Sequence, residues 1–204
     1  MRTVSLATRS EWRSQQIVSE LIMREDCVTG AIFAGGESSR FGSPKVNAFV
    51  DGEEFGFRIA RSMRQSGIDR ILLVGGSEVD ADRWNLAFVA DEFFGAGPLG
   101  ALLAAMHISD APILLTMPCD VPWIDVESCK QLSAIDEKFD VQVATTDSPQ
   151  WLSSSWRRSA LQHLEQQFAS GERAIHRAVI GLKVNYAHLP QSALRNVNTL
   201  DDFI

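Results

Sequence analysis

An apolar run, Val28 to Phe33, ends in adjacent glycines at Gly35 and Gly36, and two cations, Arg40 and Lys45, follow within the next nine positions. That order of residues confines the chain to a narrow set of folds. The run reads as a buried strand, and the glycines as a turn whose backbone can take positive φ and approach a ligand closely. Several N–H groups, from Phe33, Ala34, Gly35 and Gly36 onward, can then face one concavity, where phosphate oxygens are the natural guests. With Arg40 and Lys45 beside it, the loop suits a nucleoside triphosphate, whose charge must be neutralised and whose phosphates must be held for attack. The spacing is not that of the commonest phosphate loops, since Ser43 and Pro44 precede Lys45 and no Gly-x-Gly-x-x-Gly occurs. Without a ligand, the same stretch reads as a flexible connection with incidental charges.

The rest of the chain alternates between two periodicities. Val46 to Val50 reads as a short extended segment closed by Asp51-Gly52, and Phe55, Ile59 and Met63 recur at four-residue steps on a helix that stops near Gly67. Arg70 to Val74 is a second strand closed by Gly75-Gly76, and Leu86 to Ala90 a third, with Asp91 at its end. Gly97-Pro98 opens a helix whose stripe is Leu99, Leu102, Leu103 and Met106. Ile113 to Met117 is the next strand, ended by Pro118-Cys119-Asp120; Asp125 to Ser133 reads as a helix, Asp140 to Thr145 as a strand, and Ser155 to Ala169 as a helix ending at Gly171. Strands alternating with helices predict an α/β fold with a mostly parallel sheet. Its ligand belongs at the carboxyl ends of the strands, where the glycine-rich loop, Gly75-Gly76, Asp91 and Asp120 all fall. Ahead of this unit, Ser10 as N-cap and Trp12, Ile17, Leu21 and Ile22 predict an amphipathic helix, so residues 1–27 form an N-terminal extension to a domain over 28–204.

Composition narrows the function. A chain of 204 residues, 45% hydrophobic, fits one domain with one substantial core. A net charge of −7 argues against nucleic-acid or membrane-surface partners, which select basic surfaces, so any functional positive charge is local. Cys27, Cys119 and Cys129 are odd in number and form no Cys-x-x-Cys pair, which points to reduced thiols rather than a disulfide framework or a zinc site. No apolar run reaches the ~18 residues of a membrane span, and the acidic residues before Val28 do not suit a targeting peptide, so a cytoplasmic protein is expected.

Asp120 is the best metal ligand in this reading. It sits at a strand tip, stiffened by Val121-Pro122, and magnesium takes only one or two carboxylates beside waters and substrate phosphates. A turn or cap aspartate is the alternative. Asp91 offers a second carboxylate at a neighbouring strand end, or simply a turn. Asn196 and Asn198 alternate along an extended stretch, so both amides face one side and suit a polyanionic second substrate; an Asx turn before Thr199 would also use them. Arg157, Arg158, Arg173 and Arg177 cluster in the C-terminal third, either to receive an acceptor's phosphate or as solvated helix faces. Cys119 has no partnered base and reads as a buried strand-end thiol, and the four histidines are too scattered for a catalytic site.

The run Ala34 to Lys45 resembles the A-G-G-x-S-x-R-M-G-x-x-K signature of the molybdenum cofactor guanylyltransferase family, with Phe41 in place of the methionine. Gly97-Pro98-Leu99-Gly100, Pro118-Cys119-Asp120-Val121-Pro122 and Asn196-Val197-Asn198-Thr199 agree in order, and together the motifs cover the chain from about Val28 onward. The resemblance implies a Rossmann-like three-layer domain of the nucleotide-diphospho-sugar transferase type and a Mg²⁺-dependent nucleotidyltransferase. GTP would be the donor and molybdopterin, molybdenum-loaded or not, the acceptor, with molybdoenzymes or their chaperones as further partners. Arg40, Lys45 and Asp120 would carry catalysis. Phe33, Ala34, Gly35, Gly36, Gly75 and Asp91 would complete the nucleotide site, and Asn196 and Asn198 would meet the acceptor. Two departures stand out. Gly75 replaces an asparagine that contacts the nucleotide in many members, and Pro149-Gln150-Trp151-Leu152 lies where the family often has a His-Pro segment. Cytidylyl transfer to the same acceptor, nucleotidyl transfer to a sugar phosphate, and a non-catalytic nucleotide-binding protein remain alternatives.

Overall fold

A computed structural model describes residues 28–35, 45–90 and 96–197. The expected helix before Met23, together with Gly36, Arg40, Asp91 and Asn198, lies outside the described residues. Within them the chain runs β1 (Val28–Phe33), a 3-10 turn (Lys45–Asn47), β2 (Phe49–Val50), β3 (Glu53–Glu54), α1 (Phe55–Gln65), β4 (Ile71–Val74), α2 (Glu78–Arg83), β5 (Ala87–Val89) and α3 (Gly97–Ile108). It continues through β6 (Ile113–Pro118), α4 (Val126–Ser133), β7 (Val141–Thr145), β8 (Pro149–Arg157), a 3-10 turn (Arg158–Ala160), α5 (Leu161–Ala169), α6 (Ile175–Ala178) and β9 (Val184–His188). No helix among the described residues is long and apolar enough to cross a membrane.

The seven-stranded sheet has the order β5-β4-β1-β6-β8-β7-β9, and β2 pairs with β3 in a separate hairpin. β1 pairs in parallel with both β4 and β6, β4 with β5, and β7 with β9; only β8 runs antiparallel, between β6 and β7. The central strands are apolar on both faces because each face is covered by helices. Ile32, Leu73, Leu115 and Met117 pack with α1 and α4 residues such as Ile59, Met63, Cys129 and Leu132, whereas Ala31, Phe33, Leu72, Val74 and Leu114 pack with Leu99, Leu102 and Leu103 of α3, Leu164 of α5 and Ile175 of α6. The layers are those of a three-layer α/β fold. The order of strands reverses beside β1, with β4 on one side and β6 on the other, so the loop after β1 and the segment after β6 share one crevice.

Several expectations need correction. The helix expected from Ser155 starts only at Leu161, because Pro149 to Arg157 is a strand. Its Ser153, Ser154 and Ser155 are buried, and the Thr116 hydroxyl donates to the Ser154 carbonyl at 3.0 Å while the Trp156 indole N–H donates to Thr116 Oγ1 at 3.2 Å. A strand whose interior positions are serines carries no apolar alternation to read. The extended segment expected from Val46 begins instead as the 3-10 turn Lys45–Asn47, which turns Val46 into the core. The sequence reading did not contain α2, α6 or β9, each too short or too mixed to show a period.

Candidate active site

The carboxyl ends of the central strands are laced together by their own backbone. Ala34 N–H donates to Val74 O at 2.9 Å, Cys119 N–H to Phe33 O at 3.1 Å and Gly75 N–H to Val89 O at 2.9 Å. The start of the glycine-rich loop is thereby fixed against β4 and the end of β6. Gly75 has φ +74°, and a Cβ there would lie 3.0 Å from Gly35 N and 3.1 Å from Gly35 Cα. A side chain at position 75 would press on the backbone of the glycine-rich loop itself. The absent asparagine is therefore tied to a close approach between Gly75 and Gly35, and the contacts left to a nucleotide there are backbone ones.

Lys45 and Asp120, 75 positions apart in the chain, meet across this crevice, with Lys45 Nζ 3.4 Å from Asp120 Oδ2. Both side chains keep contact with solvent, 15% and 26% exposed, so the pair contributes no more than ~1 kcal/mol to stability. A triphosphate could take the ammonium while the carboxylate turns to a cation. Asp120 is one oxygen donor, and among the described residues no three His, Cys, Asp or Glu side chains gather as a metal cage. That donor set fits magnesium, which keeps waters and takes its remaining oxygens from phosphates. The neighbouring Cys119 thiol is pushed up to about 12 by burial, reinforced by the Asp120 carboxylate, so it stays protonated and is no nucleophile.

The C-terminal segment is strapped onto the same place. Val197 N–H donates to the Asp120 carbonyl at 2.9 Å, and the Val197 side chain is wholly buried against Val50 and Phe55, with Ala48 and Trp123 at the edge of the cluster. Burying a valine contributes ~1.5–3 kcal/mol and the hydrogen bond ~1, enough to hold a short segment without secondary structure. Asn196 is exposed and Val197 buried, while the expected partner amide, Asn198, lies outside the described residues. The Arg195 guanidinium stacks 4.7 Å over the Trp123 ring. On the opposite side, Arg58 Nε donates to the Pro122 carbonyl at 2.9 Å and ties α1 to the loop after Asp120. None of these straps has a signature in sequence, because each joins segments more than 60 residues apart.

The four arginines divide into two pairs. Arg157 and Arg158 are structural: Arg157 donates to Ile135 O at 2.9 Å, and Arg158 to the Met106 carbonyl at 3.0 Å and to Ser109 O, closing the end of α3. Arg173 and Arg177 instead help line a cavity of about 390 Å³, with Pro98, Trp151, Leu152 and Ile175. Trp151 and Leu152 lie three and two residues beyond the Thr116–Ser154 pair along β8, in the direction in which β6 runs toward Asp120. Arg173 stacks 4.0 Å over Phe168 and donates to the carbonyls of Phe168 and Glu172, both at 2.7 Å. Arg177 forks onto Glu172 at 2.6 and 2.8 Å, which holds that carboxyl at about 2. The sequence offered the arginines but not the cavity, which needs the strand β8 that the serines conceal.

The MobA-like NTP transferase domain family matches residues 30–187. A protein of Geobacillus sp. (strain WCH70) named as a probable molybdenum cofactor guanylyltransferase is 29% identical over 188 residues, spanning 86% of this chain and 96% of that protein. A molybdenum cofactor guanylyltransferase of Burkholderia ambifaria (strain MC40-6) is 30% identical over 165 residues, spanning 72% and 79%. Among solved structures, molybdopterin-guanine dinucleotide biosynthesis protein A from Archaeoglobus fulgidus superposes with a TM-score of 0.70 at 22% identity, over 86% of this chain and 94% of that one, a likeness of fold.

Proposed function

The chain belongs to the MobA-like NTP transferase family, and on that premise we propose that it moves GMP from GTP to molybdopterin, with or without bound molybdenum. The acceptor's phosphate oxygen attacks the α-phosphorus of GTP, the bond from that phosphorus to the α–β bridging oxygen breaks, and the electron pair leaves with pyrophosphate. The product is the guanine dinucleotide form of the cofactor. The attacking oxygen is already ionised, so the protein needs no nucleophile and no strong base. What it must supply is position and charge. The observation that carries this reading is the Lys45–Asp120 pair at the sheet's switch point.

In this reading the N–H groups from Ala34 to Gly36 cradle the phosphates, and Lys45 and Arg40 donate to the α-phosphate and the departing pyrophosphate. Asp120 would hold Mg²⁺, with Asp91 as a candidate second carboxylate, and the ion would neutralise phosphate oxygens when bound. Gly75 meets the nucleotide through backbone alone. Asn196 and Asn198 face the acceptor phosphate. The cavity beside Trp151 and Arg173 receives the rest of the acceptor, whose flat ring system and negative charge suit an indole and a guanidinium. The work is done in the cytoplasm, and molybdoenzymes or their chaperones take the product.

Incubating the protein with molybdopterin, magnesium and each of GTP, CTP, ATP and UTP tests the proposal. GTP is expected to give dinucleotide and pyrophosphate in equal amounts, well ahead of the others. A faster rate with CTP would make it a cytidylyltransferase, and nucleotide binding without pyrophosphate release would remove it from the enzymes.

A further inference from the structure

Lys45 opens a turn of three residues, and the other end of that turn is held by a network of polar side chains. Asn47 Nδ2 donates to Asp80 Oδ2 at 3.0 Å, and Arg83 Nη2 donates to Asn47 Oδ1 at 3.1 Å and to Asp80 Oδ1 at 2.8 Å, closing a triangle of three side chains. Asp80 is 6% exposed and also accepts the Ser77 hydroxyl at 2.7 Å, while its own N–H donates to Ser77 Oγ at 3.1 Å, so the carboxylate is fixed at the start of α2. Arg83 lies 2.9 Å from Glu54 Oε1, and the Trp84 indole donates to Glu54 Oε2 at 2.8 Å, which bolts α2 to the β2–β3 hairpin. The two anchors of the turn are thus Val46, wholly buried beneath it, and Asn47, tied sideways to α2.

We propose that Asn47 is a positioning residue for Lys45: clasped between Asp80 and Arg83, it sets the turn from which the lysine reaches the Asp120 carboxylate. The role rests on the proposed nucleotidyl transfer, in which Lys45 touches the phosphates. Asparagine is the side chain that suits the place, because one end must donate to a carboxylate while the other accepts from a guanidinium. Aspartate would set a second carboxylate against Asp80, and leucine would leave a buried carboxylate short of a donor. The consequence reaches the site because Lys45 is a flexible point charge whose placement depends on where its backbone stands.

The test combines rates with a reading of Lys45 that needs no substrate. Competitive acetylation of the whole protein, resolved by mass spectrometry, measures how accessible each lysine amine is. In Asn47→Ala, Lys45 is expected to label several-fold faster while Lys130, Lys138 and Lys183 keep their rates, and Arg83→Ala, which spares the Asn47–Asp80 bond, is expected to move Lys45 less in the same direction. Turnover should fall by about 10- to 100-fold with acceptor KM within about twofold, the scale of a slight misplacement of a catalytic group. In a Lys45→Ala background, adding Asn47→Ala should lower the residual rate by less than about twofold. Unchanged Lys45 labelling, or an equal loss of rate in both backgrounds, overturns the proposal and leaves Asn47 as a packing residue. Labelling that rises as expected in a protein that does not turn over GTP and molybdopterin would count against the proposed function and not against the positioning role.

Discussion

The two halves of the crevice are built by different means. On the proposed donor side, β1, β4 and β6 are parallel, and the loop after Phe33, Gly75 and Asp120 are brought together by strand ends hydrogen-bonded through their backbones. On the proposed acceptor side, the antiparallel β8 intervenes, and the cavity is walled by residues of α3, β8, α6 and the segment leading into α6. A site made of backbone depends on glycines and on sheet register, whereas a site made of side chains can be retuned one residue at a time. The first should fail all at once when its charges are removed, the second by degrees and for one substrate only.

The largest effect expected from breaking that contrast is at Lys45. Lys45→Ala should cost about 10²–10³-fold in kcat, the scale of removing one preorganised donor to a developing charge, with little change in thermal midpoint because the pair with Asp120 is partly solvated. Steady-state kinetics and a melting curve on the same preparation check both parts, and near-wild-type turnover at saturating GTP would take Lys45 out of catalysis. A smaller and one-sided effect belongs to the cavity. Trp151→Ala should raise acceptor KM about tenfold, the loss of a stacking surface, while calorimetric GTP affinity stays within about twofold. A comparable loss of GTP affinity would put the cavity on the donor side.

The smallest effect distinguishes the frame of the acceptor side from its chemistry. Glu172 is held at about 2, first by the Arg177 guanidinium and then by the N–H groups of Ala174 and Arg173. A carboxylate with a depressed folded value adds stability that is full above its ordinary value near 4.5 and fades as pH falls toward 2. Arg177→Ala should therefore lower the thermal midpoint slightly above pH 4.5, with the difference from wild type closing between pH 4.5 and 2. Melting curves across that range check it, and a difference independent of pH would mean that Arg177 acts through packing.

How much of this was legible in sequence follows the same division. The parallel half was read almost strand for strand, because Val28–Phe33, Ile71–Val74 and Ile113–Pro118 are buried on both faces and must be continuous apolar runs. The glycine-rich loop and Asp120 were legible at one end of the sheet, since they follow neighbouring parallel strands, whereas the approach of Lys45 to Asp120 was not, because Lys45 stands in a turn twelve residues beyond β1. The other half resisted reading where polar residues do the packing. Ser153 to Ser155 hid β8, and with it the cavity, and Asn47 looked like part of an extended segment rather than the clasp of a turn. Straps such as Val197 to Asp120 are invisible in one sequence because nothing local to either residue requires the other.

Asp120→Asn probes the central claim, that transfer occurs between Lys45 and an Asp120-bound metal, more directly than any other change. It keeps the size of the side chain and much of its hydrogen bonding while removing the charge that recruits a hard cation. Rates at saturating GTP and acceptor, measured across a magnesium titration for wild type and variant, should show the variant's half-activating magnesium displaced upward by about tenfold or more and its maximal rate reduced. Superimposable titrations with equal maximal rates would contradict the account, making Asp120 a turn residue and moving the search for the metal to Asp91.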